Sequence, residues 1–313
     1  MRFLNSNRNT PLIKVELEAL ENIQLYSKLE FLNPTGSVKD RAASFIIQEA
    51  FKKSIIKQDT TIIESSSGNL GVALAAYCKK NSLRLIIVID PHISPINEML
   101  IKNFGAEVIK VTIPDSSGGY LLNRIKKVSE LLSEISNSYW VNQYENPLNR
   151  EAYYSTLGHE ICEEVDNIGY LFLGVSSGGT IAGVSRRVKE KYPKSRVIAV
   201  DIEGSVIFGG TSAKRYIPGI GASKVPENLK YAAIDDVVMV NEKETIEGCH
   251  ELLNNCCIFA GGSSGSVIAA INKYFKNKEV TRLTKVVTIF ADKGERYINT
   301  VYNEQWCSKF LTK

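Results

Sequence analysis

Long apolar runs are missing from this 313-residue sequence: its most hydrophobic stretches, such as LRLIIVI, fall far short of the roughly 20 residues that a membrane-spanning helix needs. The N-terminal MRFLNSNRNTPL has no apolar h-region, so neither a secretory leader nor a membrane partner is expected, and the reading is cytoplasmic. Cysteine is sparse and forms no CxxC pair. Cys78, Cys162, Cys249, Cys256, Cys257 and Cys307 are scattered, and none of the three histidines stands at ligand spacing from them. No metal is expected, and the neighbouring Cys256 and Cys257 are read as free thiols, because adjacent cysteines rarely bridge and a cytosol keeps thiols reduced. A basic stripe is also missing. The 38 basic and 34 acidic residues interleave to a net charge of +4, which argues against a nucleic-acid partner. There is no internal repeat, no low-complexity tract and no GxxxxGK[ST], so a nucleoside triphosphate site is disfavoured.

What the chain does have is the composition of a folded domain, 44% hydrophobic and 23% charged, and a length that suits two lobes rather than one. Short apolar β-rich runs alternate with helical periodicity: TTIIES with a helix over 70–80, LRLIIVID with a helix near 97–104, AEVIKVTI with a helix over 121–135. The pattern resumes with GYLFLGVS, a helix over 181–192, SRVIAVDI and finally KVVTIFA. This is the signature of βαβ units, and strands that are apolar throughout are covered on both faces. The expectation is an α/β chain of two doubly wound parallel-sheet lobes, with a boundary near NQYENPLN (142–149). The early PLIKVELEALENIQLYSKLEF alternates like a strand pair.

In such sheets ligands gather where strands end in glycine-rich loops that lead into helices. Three loops qualify: ESSSGN (64–69), GVSSGGT (174–180) and AGGSSGS (260–266). GVSSGGT offers backbone N–H groups and hydroxyls at a helix N-terminus, a ready site for a phosphate, although helix capping alone would also explain it. NPTGSVKDRAASFII sets Lys39 at the start of a predicted helix, where the helix dipole favours the neutral amine that a Schiff-base lysine needs. A solvated first-turn lysine is the bland reading of the same residue.

Together these segments carry a resemblance. NPTGSVKDR resembles the cofactor-lysine motif of the fold-type II pyridoxal phosphate (PLP) enzymes of the cysteine synthase and cystathionine β-synthase family, and SSGN resembles their substrate loop. GVSSGGTIAG is similar to their phosphate cup, GGSSGS to the loop at the pyridine nitrogen, and DKGERY to a C-terminal segment. The resemblance implies a tryptophan-synthase-β-like fold with PLP in the cleft between a smaller mobile lobe, residues 32–145, and a larger lobe, 9–31 plus 146–313. It implies that Lys39 holds PLP as a Schiff base, that Asn69 meets the ring's phenolic oxygen and that Ser176, Ser177, Gly178, Gly179 and Thr180 cradle the phosphate. Ser263 then faces the pyridine nitrogen, and Ser66, Ser67, Gly68 and Gln143 hold the substrate α-carboxylate. A neutral serine at the ring nitrogen makes PLP a milder electron sink, which suits β-elimination through an aminoacrylate. A homodimer is implied as well.

Within that family, GNLG departs from the common TSGNTG loop at Ser66 and Leu70. GNLG together with DPHISPIN, SSGGYLLNRI, YWVNQYENPLN, GSVIFGG and PGIGASKVPE resembles a subgroup that joins O-phosphoserine to L-glutamate in the siderophore branch leading to 2,3-diaminopropionate. Tyr144 and the GSVIFGG loop (204–210) then line the second-substrate site, or else pack, and Arg124 and Arg215 are candidate partners for the anionic groups. The alternatives are a sulfhydrylase acting on O-acetylserine or O-phosphoserine, which shares every PLP contact, and a PLP-free binding protein, against which the intact Lys39 motif argues.

Overall fold

A computed structural model describes residues 9–17, 21–115 and 119–311. In chain order the elements are β1 (Leu12–Val15), β2 (Ile23–Leu29), α1 (Lys39–Lys52), β3 (Thr61–Ser65), α2 (Asn69–Lys80), β4 (Leu85–Ile89), α3 (Pro95–Asn103) and β5 (Glu107–Lys110). Then come α4 (Leu121–Glu134), β6 (Ser138–Trp140), α5 (Pro147–Ser155), α6 (Leu157–Glu164), β7 (Ile168–Gly174), α7 (Gly179–Lys191) and β8 (Arg196–Ile202). The chain closes with β9 (Asp236–Val240), α8 (Glu242–Cys256), α9 (Gly262–Phe275), β10 (Thr284–Phe290) and α10 (Glu304–Leu311). Among the described residues no helix is long and apolar enough to cross a membrane.

The chain divides into two compact units. The first contains Lys39–Ala152 and is built on a four-stranded parallel sheet in the order β5-β4-β3-β6. β3 and β4 are buried at every residue, as strands covered on both faces must be. Ile63, Ile86 and Val88 of the sheet pack with Val128 and Leu131 of α4. Local chemistry agrees with the fold: Ser94 caps α3 by accepting the Asn97 N–H, and Pro95 occupies the first helical position, where its missing donor costs nothing.

The second unit, Asn9–Val38 with Tyr153–Lys313, carries a six-stranded sheet in the order β1-β2-β10-β7-β8-β9. All neighbours are parallel except the edge pair β1 and β2, so the alternating early segment is a hairpin added to this sheet. Its core gathers Phe172, Ile198, Val200, Ile268, Ile271, Val286 and Phe290. The capping box of Asn241 and Glu244 starts α8 by satisfying both N-terminal donors reciprocally.

The division falls at 38/39 and 152/153, seven residues beyond the sequence expectation of 32–145 at each end. The reason is local. Residues 33–38 are tied to the second unit, Val38 N–H donating to Ala291 O at 2.8 Å, and α5 runs from Pro147 through Ala152, so the polar NQYENPLN is a turn and the start of a helix inside the first unit.

Candidate active site

In the first unit the candidate residues lie at the C-terminal ends of β3 and β6 and at the N-termini of α1 and α2. Lys39 opens α1, directly after a turn in which Gly36 adopts φ +83° and donates its N–H to Asn33 O at 2.8 Å. Asn33 in turn donates to the buried Glu30 carboxylate at 2.9 Å, which fixes the approach to the lysine.

The loop Ser66 to Asn69 follows β3. The Ser66 hydroxyl accepts N–H groups from Gly68 at 3.4 Å and Gly71 at 3.2 Å. Gly71 is required there, because a side chain would bring its Cβ to 2.7 Å from Ser66 O. Leu70, where the common motif has threonine, is buried in α2. The Ser67 hydroxyl is fully engaged: it donates to Asp90 Oδ2 at 2.8 Å and accepts from the Asp90 N–H at 3.1 Å and from Arg124 Nη1 at 2.9 Å. Ser67 can therefore meet a ligand only through its backbone, a narrowing of the sequence expectation. Arg124 pairs with Asp90 at 3.0 Å, and its buried Nε–H has no acceptor among the described residues.

Gln143 follows β6, its carbonyl held by Asn149 at 2.6 Å and its N–H by Glu64 at 3.3 Å. Tyr144 is half-buried next to it. Glu64 itself escaped the sequence reading, since a glutamate inside a strand has no spacing signal. Burial pushes its carboxyl up to about 7, against the lowering effect of the backbone donors Ser65 and Gln143 and of the Arg124 charge.

In the second unit, Ser176 to Thr180 link β7 to α7. Gly178 caps the helix at φ +77°, and an added Cβ would stand 3.0 Å from Leu229 N and 3.3 Å from Asn228 Cβ. Asn228, fully buried and 3.4 Å from Ser177 O, backs the loop; sequence reasoning missed it because the partners lie far apart in the chain. The backbone N–H groups of Ser176 to Thr180 find no carbonyl among the described residues, nor do the hydroxyls of Ser177 and Thr180 find a partner there. Five consecutive donors at a helix N-terminus, with small side chains around them, fit a phosphate group such as that of PLP. Ser263 is the second residue of α9, largely buried, with a hydroxyl that bonds none of the described residues.

Two further groups named from the sequence have their places in the second unit and the core. Arg215 donates to Gly204 O at 2.6 Å and to Ser223 Oγ at 3.0 Å, tying the 204–210 loop to residues 218–224. The cysteines are free thiols, and burial pushes Cys78 and Cys249 up to about 12, so neither is a nucleophile at neutral pH.

Residues 4–292 match the family described as "Pyridoxal-phosphate dependent enzyme". An O-acetylserine dependent cystathionine β-synthase from Helicobacter pylori is 36% identical, with 96% of this chain and 98% of that one covered and a TM-score of 0.89. An O-ureido-L-serine synthase is 27% identical over 99% of this chain and 95% of its own, with a TM-score of 0.87. A hydrogen sulfide-producing enzyme from Fusobacterium nucleatum is 30% identical over 94% and 98%, with a TM-score of 0.86. The chain therefore belongs to the pyridoxal-phosphate dependent enzyme family, in its cysteine synthase-like group, and its chemistry is PLP-dependent β-replacement on amino-acid substrates.

Proposed function

We propose that the enzyme replaces the phosphate of O-phospho-L-serine with the amine of L-glutamate, giving N-(2-amino-2-carboxyethyl)-L-glutamate and inorganic phosphate. Bound PLP supplies the electron sink that lets the Cα proton and the β-substituent leave the amino-acid donor. The N–H groups of Ser176 to Thr180 and the hydroxyls of Ser177 and Thr180 bind the PLP phosphate. Ser263 meets the pyridine nitrogen as a neutral hydroxyl, and Asn69 meets the phenolic oxygen. Lys39 would anchor the cofactor, and its Nζ, as the free amine, would take the donor's Cα proton and later return it. The backbone of Ser66, Ser67 and Gly68, with Gln143, orients the donor's α-carboxylate.

One observation carries the choice of donor: the Arg124 guanidinium, paired with Asp90 at 3.0 Å, lies 2.9 Å from the Ser67 hydroxyl of the loop 66–69. A dianionic leaving group calls for such a fixed cation beside the substrate loop, whereas sulfide chemistry calls for almost none. Tyr144 and residues 204–210 are assigned to the glutamate side. The resemblance also supports a cytoplasmic homodimer.

A second reading, a cysteine synthase using O-acetylserine or O-phosphoserine with a sulfur nucleophile, is favoured by the 36% identity to an O-acetylserine dependent enzyme. Both donors tested against glutamate and sulfide on one preparation separate the two: turnover only with phosphoserine and glutamate supports the first reading, and turnover only with sulfide the second.

A further inference from the structure

Within the second unit, the segment 291–297 that follows β10 is bonded both to residues 35–38, which lead into Lys39, and to the residues before Ser263. Toward Lys39, the Val38 N–H donates to Ala291 O at 2.8 Å, Ser37 forms an antiparallel bridge with Asp292, and Arg296 Nη2 donates to Thr35 O at 2.6 Å. Toward Ser263, the Gly261 N–H donates to Asp292 O at 2.8 Å, and Ala260 bridges Lys293. One side chain spans the junction. The Tyr297 hydroxyl, fully buried, donates to Asp292 Oδ2 at 2.9 Å and lies 3.3 Å from Pro218 O. Its ring closes on the start of α9, so that a Cβ added to Gly262 would stand 3.2 Å from it. Gly219, at φ +122°, lies between the two: a Cβ there would meet Ser263 Cβ at 3.3 Å and the Tyr297 hydroxyl at 3.4 Å. Burial, with the Asp292 carboxylate beside it, holds the Tyr297 hydroxyl well above its ordinary pKa, so its proton stays in place as a donor.

We propose that Tyr297 is a positioning residue that holds Ser263 in register with the Lys39 approach and thereby sets how the ring of PLP is gripped. A hydroxyl that steers a ring nitrogen must be held to a few tenths of an ångström by the groups behind it. Three loops converge on Tyr297: the 218–219 turn, the start of α9 and the DKGERY turn that carries the Lys39 approach. Losing the hydroxyl removes its bonds to Asp292 Oδ2 and to Pro218 O, and Ser263 lies against the 218–219 turn that the second of these holds.

The inference rests on the reading of Ser263 as the ring-nitrogen contact, and the experiment separates the two. PLP is titrated into apo-protein of four variants, reading the dissociation constant and the visible absorption band, with a thermal melt as the folding control. Tyr297→Phe is expected to weaken PLP about tenfold, as one lost hydrogen bond would, and to shift the band. Ser263→Ala alone is expected to do the same, and the double variant to be no worse than Ser263→Ala. Should Ser263→Ala leave affinity and band unchanged, the Ser263 reading fails and the inference falls with it. Should Tyr297→Phe leave PLP unaffected, or add its full effect on top of Ser263→Ala, the positioning role alone is overturned. If Tyr297→Phe does not fold, Asp292→Asn, which keeps the shape of the acceptor, takes its place: a loss of affinity that disappears in the Ser263→Ala background supports the role, and an additive loss or no loss overturns it.

Discussion

The Gln143 N–H donates to Glu64 Oε2 at 3.3 Å, joining the ends of β6 and β3 directly behind the substrate loop. Because burial raises the Glu64 carboxyl from 4.5 to about 7, the folded protein binds a proton there that the unfolded chain has already lost. Its contribution to stability is fully present below pH 4.5 and disappears as pH rises through about 7, with a full span of about 3 kcal/mol. Glu64→Gln removes this titration. Denaturant unfolding at about pH 5 and about pH 8 is expected to show a loss of stability in the native protein that the variant lacks; equal pH dependence in both would contradict it.

Gly178→Ala tests the phosphate cup. At φ +77° the new side chain is strained by about 1–3 kcal/mol, and it presses on the backbone of Leu229. A lowered melting temperature together with faster loss of PLP on dialysis is the expected result. A variant that keeps PLP as the native protein does would place the phosphate elsewhere.

Lys39→Ala should abolish turnover with the fold intact, since the cofactor loses its covalent anchor and the reaction its base. Some PLP should still bind through Ser176 to Thr180. Activity close to native after removal of free PLP would refute the role given to Lys39.

Arg124→Lys keeps the charge beside Asp90 and loses the planar fork. The expected outcome is a KM for O-phosphoserine raised about tenfold with little change in melting temperature. Steady-state kinetics with an unchanged KM would remove Arg124 from donor recognition.

Much of this arrangement was legible in the residues. The continuously apolar LRLIIVID and RVIAVDI became the covered strands β4 and β8, and the glycine-rich loops took their places after β3 and β7 and at the start of α9. Other parts left no local trace. Strand β6 is three half-buried residues, too short to show a period, yet it leads to Gln143. The contacts Arg124–Ser67, Asn228–Ser177 and Gln143–Glu64 join residues 57, 51 and 79 positions apart, separations at which no spacing rule operates. The unit boundary was displaced for the opposite reason: NQYENPLN has the composition of a linker, yet helix α5 continues past it.

The substrates are decided by the mass of the product formed when the PLP-loaded enzyme is incubated with O-phospho-L-serine and L-glutamate, with sulfide in a parallel reaction. The expected product is a glutamate adduct bearing the three-carbon amino-acid unit, with one phosphate released per adduct. Cysteine formed with sulfide, and no adduct with glutamate, would contradict the assigned substrates while leaving the PLP-dependent β-replacement chemistry in place.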